Sequence, residues 1–295
     1  MRPIVFKRFL IPFLLLASLV GAAAPAQAKS QPSLRILLTN DDGYSSSSTL
    51  SLRQALIAAG HQVTIVAPLT DSSGLGTGLN IKFGTTLEAV ERSPGVWSVT
   101  GSPGDAVAFG VRVLFASNPP DLVVSGPNAG ENVAALANHS GTVGAAITAL
   151  AGGVPAIAFS TARGPSNTFP SAPQSIDFAV KVVNKLAATS AYNGKILPDH
   201  TALNVNYPVT PNGQVKFAKL GTSLPVSTAY APAPDACATC YRILPLPATA
   251  PDPVTDADRT LLDAGNVTIT ALDGSWEAGP AVTTLVRVRL NNLTP

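Results

Sequence analysis

Apolar residues in this chain fall into short unbroken runs separated by polar, glycine-bearing turns. Arg35–Thr39 (RILLT) runs directly into Asn40-Asp41-Asp42-Gly43, the pattern of a buried strand followed by a turn. Ser45–Ser48 can cap a helix with its body at Thr49–Ala59, ended by Gly60. Gln62–Ala67 (QVTIVA) reads as the next strand, closed by Pro68. Strand, helix and strand together occupy about thirty residues, the size of a βαβ crossover. The alternation continues with a short strand at Val96–Thr100, a helix at Pro103–Ala116 and a strand at Leu122–Ser125. A loop then spans Gly126–Ser140, followed by a small-residue helix at Gly141–Leu150 and a strand at Ala156–Ser160. Strands that are apolar throughout and alternate with helices predict an α/β fold, with a parallel sheet covered on both faces.

The second half has a different texture. Ile176–Ala188 predicts an amphipathic helix and Ala202–Asn206 (ALNVN) a strand. The stretch from Pro225 to Pro253 carries seven prolines and few charges, which reads as an arm or excursion packing on something such as another subunit. Asn266–Ala271 returns to strand character. Val282–Leu290 fits a strand by alternation and a helix by the spacing of its apolar positions. No internal repeat at solenoid spacing is present.

Met1–Ala28 has a basic start (Arg2, Lys7, Arg8), an apolar run and a small-x-small Ala26-Gln27-Ala28 site, so it reads as a secretory signal peptide. The apolar run is interrupted by Pro12 and is short for a bilayer span. The expectation is therefore an exported, periplasmic or secreted protein with no membrane in its mature form. In an oxidising compartment Cys237 and Cys240 can form a local structural disulfide or remain a thiol pair. The flanking prolines 232, 234, 245 and 247 argue against the helix that a thioredoxin-type redox centre requires.

Composition narrows the functional classes. The chain has 295 residues, of which 46% are hydrophobic, which excludes a disordered protein. Nineteen basic residues against seventeen acidic ones make no polycation, so binding to a nucleic-acid polymer is not expected. Removal of residues 1–28 takes three basic residues and no acid, leaving a formal charge of −1.

In an open parallel sheet, ligands bind outside the carboxyl ends of the strands. Three polar loops fall there: Asn40-Asp41-Asp42-Gly43, Asp71-Ser72-Ser73-Gly74 and Ser125–Asn132. Adjacent carboxylates at the end of a buried strand repel each other and lose hydration unless something compensates them, and a divalent cation does so. The alternative is Asp41 as a turn former or helix cap with Asp42 solvated. The available donors are the carboxylates, the Ser73 hydroxyl and the Asn128 carbonyl, all oxygens, which select Mg²⁺, Mn²⁺ or Ca²⁺ over zinc or copper. Of the three histidines, His61 reads as a capping or surface residue, and His200 has no motif around it. Asn138-His139-Ser140-Gly141-Thr142 leads into a helix start, which suits a phosphate. An ordinary Ser/Thr cap explains the same residues.

ILLTNDDGY, TDSSGLGTGL, GSPGDAV, PDLVVSGPNAGEN, HSGTVGAA, GVPAIAFS and LNVNYP follow one another in an order that resembles the SurE family of 5′-nucleotidases and acid phosphatases. The resemblance covers about residues 34–208 and resumes weakly at 255–276. It implies a Rossmann-like, doubly wound, mostly parallel sheet at residues 29–222. It also implies an oligomerisation arm at 223–258 and a C-terminal segment, 259–295, returning to the domain. The implied activity is divalent-metal-dependent hydrolysis of nucleoside 5′-monophosphates and other phosphate monoesters, by a homodimer or homotetramer. Matched position by position, the metal ligands are Asp41, Asp42, Ser73 and Asn128. The phosphate contacts are Asn40, Gly43, Asn132, Ser140, Gly141 and Thr142. Mg²⁺ or Mn²⁺ is the expected cofactor, with Ca²⁺ as a further occupant. Asp41 and Asp42 are the catalytic candidates, with Asp41 nearest the chemistry as nucleophile or base.

The chain departs from the family pattern at Pro127 (commonly Ile), at Ser72 (commonly Gln) and at Ser46–Leu50, where Ala-Pro-Gly-Ile is usual. The arm lacks the usual Tyr-Trp-Ile-Gly-Gly strand and carries the cysteine segment instead. Two other classes remain: an idle nucleotide- or phosphate-binding protein on the same scaffold, and a metal-dependent deacetylase. The deacetylase generally needs His ligands near its Asp pair, and none stands there. Glycosylation sequons begin at Asn138, Asn266 and Asn292, and a glycan on Asn138 would block the proposed site.

Overall fold

The computed structural model describes residues 32–190, 194–247, 250–277 and 279–291. The export segment Met1–Ala28 and the sequon asparagine Asn292 lie outside the described residues. In chain order the elements are β1 (Arg35–Thr39), α1 (Ser47–Ala58), β2 (Gln62–Pro68), β3 (Ala89–Ser93), β4 (Val96–Val99), α2 (Pro103–Phe109), β5 (Leu122–Ala129) and α3 (Gly141–Ala151). They continue as β6 (Ala156–Thr161), α4 (Ala172–Ser190), β7 (Ala202–Tyr207), β8 (Val215–Phe217), β9 (Val226–Pro232), β10 (Tyr241–Pro247), α5 (Asp258–Asp263), β11 (Val267–Leu272) and α6 (Pro280–Arg289).

Nine strands form one sheet in the order β3-β4-β2-β1-β5-β6-β7-β11-β8. Neighbours from β4 through β7 pair in parallel, whereas β3 and β11 run antiparallel to β4 and β7. The fold is thus a doubly wound, Rossmann-like α/β sheet. From β1 the chain winds outward through β2, and it later restarts on the other side at β5. The order therefore reverses between β1 and β5, the place where such sheets bind ligands.

Both faces of the sheet are covered, as unbroken apolar strands require. Ile36 and Leu38 pack with Leu52 and Leu56 of α1 and with Ala179 and Val183 of α4. Leu37, between them in sequence, points to the other face and packs with Val107 of α2 and Val143 and Ala146 of α3. His61 is buried rather than superficial: its Nδ1 accepts from the Leu34 N–H at 3.2 Å, which leaves Nε2 to donate to Asn184 Oδ1 at 2.9 Å.

Several elements differ from the sequence reading. The helix expected over Pro103–Ala116 opens with a capping box between Ser102 and Asp105, but its α-helical part stops at Phe109. A π-helical turn follows over Gly110–Leu114, where Gly110 lies so close to Leu37 that no side chain fits. The strand expected to end at Ser125 continues to Ala129. Its register against β6 shifts across Gly126 and Pro127 and resumes at Asn128↔Ser160, so Asn128 sits on a strand rather than in a loop. The loop expected over Gly126–Ser140 therefore begins later, and it contains a 3₁₀ helix at Ala134–His139. Of the ambiguous Val282–Leu290 stretch, all but the C-cap Leu290 falls within helix α6, whose Pro280 suits a first turn and which has no buried residue.

The proline-rich stretch forms a separate two-stranded ribbon in which β9 and β10 pair only with each other. Each strand keeps one unpaired edge, so Pro232, Pro245 and Pro247, which cannot donate to a ladder, are tolerated. A disulfide joins Cys237 and Cys240 at the ribbon tip, where the Ala233 N–H donates to the Cys240 carbonyl at 2.8 Å. Among the described residues, no helix is long and apolar enough to cross a membrane.

Candidate active site

The loop after β1 is the centre of the site. Asn40 and Asp41 are buried, Asp42 is half-buried, and Gly43 turns the chain with a φ of 99°, which side chains rarely adopt. Asn40 is committed within this loop. Its amide donates to the Gly43 carbonyl and to Thr49 Oγ1, both at 2.9 Å. Both amide hydrogens are thus used in shaping the turn.

The second loop joins the first through the backbone. The Ser72 N–H donates to the Asp41 carbonyl at 2.8 Å, and the Ser73 N–H donates to Asp71 Oδ1 at 2.8 Å. On the other side of the switch point, Asn128 donates its amide to the Gly130 carbonyl at 2.8 Å, which leaves its side-chain oxygen as a donor atom for a ligand. Ser48 and Thr49 of α1 donate to the carbonyls of Pro127 and Gly126 at 3.1 and 3.3 Å, tying α1 to the end of β5.

Helix α3 closes the site. Ser140 caps it by accepting the Val143 N–H at 3.2 Å, and the Thr142 hydroxyl donates to Asp41 Oδ1 at 2.6 Å. Thr142 therefore serves Asp41 twice, with its hydroxyl hydrogen and with its backbone N–H. Gly141 is required here, because a Cβ at that position would lie 2.8 Å from Asp41 Cβ. The first N–H groups of α3 have no intrahelical acceptors and add the positive end of the helix dipole beside the carboxylate pair.

Asn132 is held from β6 and β7. Its side chain donates to Ser160 Oγ at 2.9 Å, its N–H donates to Asn206 Oδ1 at 2.8 Å, and its carbonyl accepts from Asn204 at 2.7 Å and from Asn206 at 3.2 Å. Sequence reasoning missed Asn204, Asn206 and Ser160 as supports. Their signal is polar residues within otherwise apolar strands. It also missed Asp258, which is buried and accepts from the N–H groups of Ala134, Gly221 and Arg259, so that it organises the loop leading to α3.

The electrostatics converge on the carboxylate pair. Burial pushes the Asp41 carboxyl above its ordinary value, the Thr142 hydrogen bond opposes this, and nearby Asp71 adds to the rise. Burial, followed by the charges on Asp41 and Asp71, pushes Asp42 up to about 6. Neither shift has a lysine or arginine among its causes.

The sequence profile described as Survival protein SurE matches residues 36–226. The chain belongs to the SurE family. It is 38% identical over 191 residues to the 5′-nucleotidase SurE of Microcystis aeruginosa, covering 63% of this chain and 67% of that one. The 5′-nucleotidase SurE of Methanopyrus kandleri is 36% identical over 198 residues, 65% of this chain and 73% of that protein. The crystal structure of the SurE protein from Aquifex aeolicus superposes with a TM-score of 0.69 at 28% identity, covering 87% of this chain and 99% of that one.

The residues present fit the divalent cation that SurE membership implies. Among the described residues, no three His, Cys, Asp or Glu side chains cluster to hold a metal, so any cation site here needs neutral oxygens as well. One Asp42 oxygen is buried without a hydrogen-bond partner. An orphaned carboxylate oxygen next to a second, buried carboxylate, with Asn128 lining the same space as Asp42, is a set of oxygen donors that suits a hard cation.

Proposed function

We propose that this SurE-family chain is a divalent-cation-dependent phosphomonoesterase that hydrolyses nucleoside 5′-monophosphates and other phosphate monoesters. The observation that carries the reading is the Asp41–Asp42 pair, one carboxylate buried and one half-buried, with no lysine or arginine behind either shift and coupled through Thr142 to the start of α3. Asp41, Asp42, Ser73 and Asn128 would hold the cation, with Mg²⁺ or Mn²⁺ as the working metal. Such a cation, when bound, supplies charge neutralisation and Lewis acidity to the phosphoryl group.

The chain's own residues do the rest. The Gly141 N–H and the Ser140 hydroxyl meet the phosphoryl oxygens at the start of α3 and stabilise the charge that develops on them, with Thr142 beside them holding Asp41. Gly43 and Asn132 complete the cradle, with Asn132 fixed in place by β6 and β7. Thr142 holds Asp41 Oδ1 and so fixes how this carboxylate is presented to the phosphoryl group. Burial keeps bulk water from competing for these donors.

Two further parts of the reading concern the whole protein. Residues 1–28 direct export to the periplasm or medium, where the Cys237–Cys240 disulfide persists. The chain works as a homodimer or homotetramer in which the β9–β10 ribbon contacts a second copy.

Phosphate release from a panel of nucleotides and simple phosphomonoesters tests the reading, with EDTA and then with Mg²⁺ or Mn²⁺ restored. Release that EDTA abolishes and either cation restores is the expected result. Tight binding of a nucleoside monophosphate without release would make the protein an idle binder instead.

A further inference from the structure

A cavity of about 270 Å³ lies against the switch point on the α1 and α4 side of the sheet. Asp42 and Asn128 reach it from the ends of β1 and β5, Ser48 from α1, Phe169 from the segment before α4, and Ser175 and Ile176 from the start of α4. Whatever fills this space lies against two of the four oxygens that would hold the cation. The catalytic assignments above make no use of it.

The chemistry of its walls indicates the occupant. Ser48 donates its hydroxyl hydrogen to the Pro127 carbonyl at 3.1 Å, and Ser175 donates to the Ala172 carbonyl at 2.8 Å while paired with Thr161 at 2.6 Å. These hydroxyls face the cavity as acceptors, because their hydrogens are already spent. Acceptors and a carboxylate repel the oxygens of a second phosphate and complement the O–H groups of a sugar. Phe169 adds a flat apolar surface, and its ring is pinned by the Arg163 guanidinium 5.7 Å from its centroid. Arg163 is itself anchored by its N–H to Glu131 at 2.8 Å and by its side chain to Asn167.

We propose that this cavity is the leaving-group subsite and that Phe169 is its specificity-determining residue, the nucleobase stacking on the ring and the ribose lying against Ser48 and Ser175. The inference rests on the phosphomonoesterase reading above and deepens it. Recognition by stacking accepts any base.

The test compares kcat/KM for adenosine 5′-monophosphate and for ribose 5-phosphate, which lacks the base, in the wild type, Phe169→Leu and Phe169→Tyr with Mn²⁺. Loss of the stack in Phe169→Leu is expected to lower the nucleotide value about tenfold or more and to leave the ribose 5-phosphate value within about twofold. Phe169→Tyr, which keeps an aromatic face, is expected to restore the nucleotide preference. Equal losses on both substrates, or no loss on either, would overturn the proposal. Adenosine binding, followed by calorimetry, provides an arm that needs no turnover. Weaker binding by Phe169→Leu supports the subsite, and unchanged binding overturns it. A wild type that hydrolyses neither ester removes the phosphomonoesterase reading, and the adenosine arm then decides the subsite alone.

Discussion

Thr142 reaches Asp41 across 101 residues of sequence. Thr142→Val keeps the shape of the side chain and removes the donor, so kcat/KM for phosphate release is expected to fall about ten- to a hundredfold with little change in Tm. Gly141→Ala places a methyl group 2.8 Å from Asp41 Cβ. Displacing a reacting group by even a fraction of an ångström is expected to lower kcat about a hundredfold. A purified Gly141→Ala protein with wild-type kcat would show that Asp41 does not need its present position. Asp258 is a structural counterpart, because its carboxylate satisfies the N–H groups of Ala134, Gly221 and Arg259. Asp258→Ala leaves buried donors unmet and is expected to cost about 3 kcal/mol in urea unfolding. The Asp pair itself was legible in the sequence, because two carboxylates ending an apolar strand are costly wherever they fold. The Thr142 and Asn132 couplings were not legible, because each depends on which distant strands and helices become neighbours.

At the level of elements, β1 and β5 flank the switch point, and their starting ends are joined by a salt bridge. Arg35 donates to Asp121 through its N–H at 2.7 Å and through its guanidinium at 2.8 and 3.3 Å. Partial burial raises the Asp121 pKa, but the Arg35 hydrogen bonds and charge outweigh this and hold it below the ordinary carboxylate value. A depressed folded-state pKa means that this stabilisation is fully present above the unfolded value of about 3.9 and is lost as pH falls through the folded one. Asp121→Asn is therefore expected to be about 1 kcal/mol less stable than wild type at pH 7, with the gap shrinking as pH drops from 5 toward 3. Denaturation curves at several pH values would reveal it. Most elements could be read from periodicity, since apolar runs of strand length between glycine-rich turns have few other solutions. The exceptions have local causes. At Gly110, which lies against Leu37, α2 passes into a π-turn, and β5 runs four residues beyond Ser125 across the register shift at Gly126 and Pro127. Neither a close backbone approach nor a bulge leaves a periodic trace in the sequence.

For the whole molecule, exposed apolar side chains mark two elements. Tyr230, Tyr241, Ile243 and Leu246 on the ribbon and Leu285 and Val288 on α6 are all exposed. A lone two-stranded ribbon is marginal in water, so a second copy of the chain is the expected cover. Ile243→Lys combined with Leu246→Lys is expected to shift the sedimentation profile from dimer or tetramer to monomer, and an unchanged profile would place the interface elsewhere. That the stretch stands apart from the core followed from its prolines. Its form as a paired ribbon did not, because pairing is fixed by contacts between strands and not by composition. The central claim remains that the Asp41–Asp42 pair holds a cation for phosphate-ester hydrolysis. Its most direct test is a Mn²⁺ titration of metal-free wild type and Asp41→Asn, reading phosphate released from adenosine 5′-monophosphate. Saturable activation of the wild type, with Asp41→Asn at least about a thousandfold slower at every Mn²⁺ concentration, is the predicted result. Equal release by the two proteins, or release by the wild type that is indifferent to Mn²⁺, would contradict it.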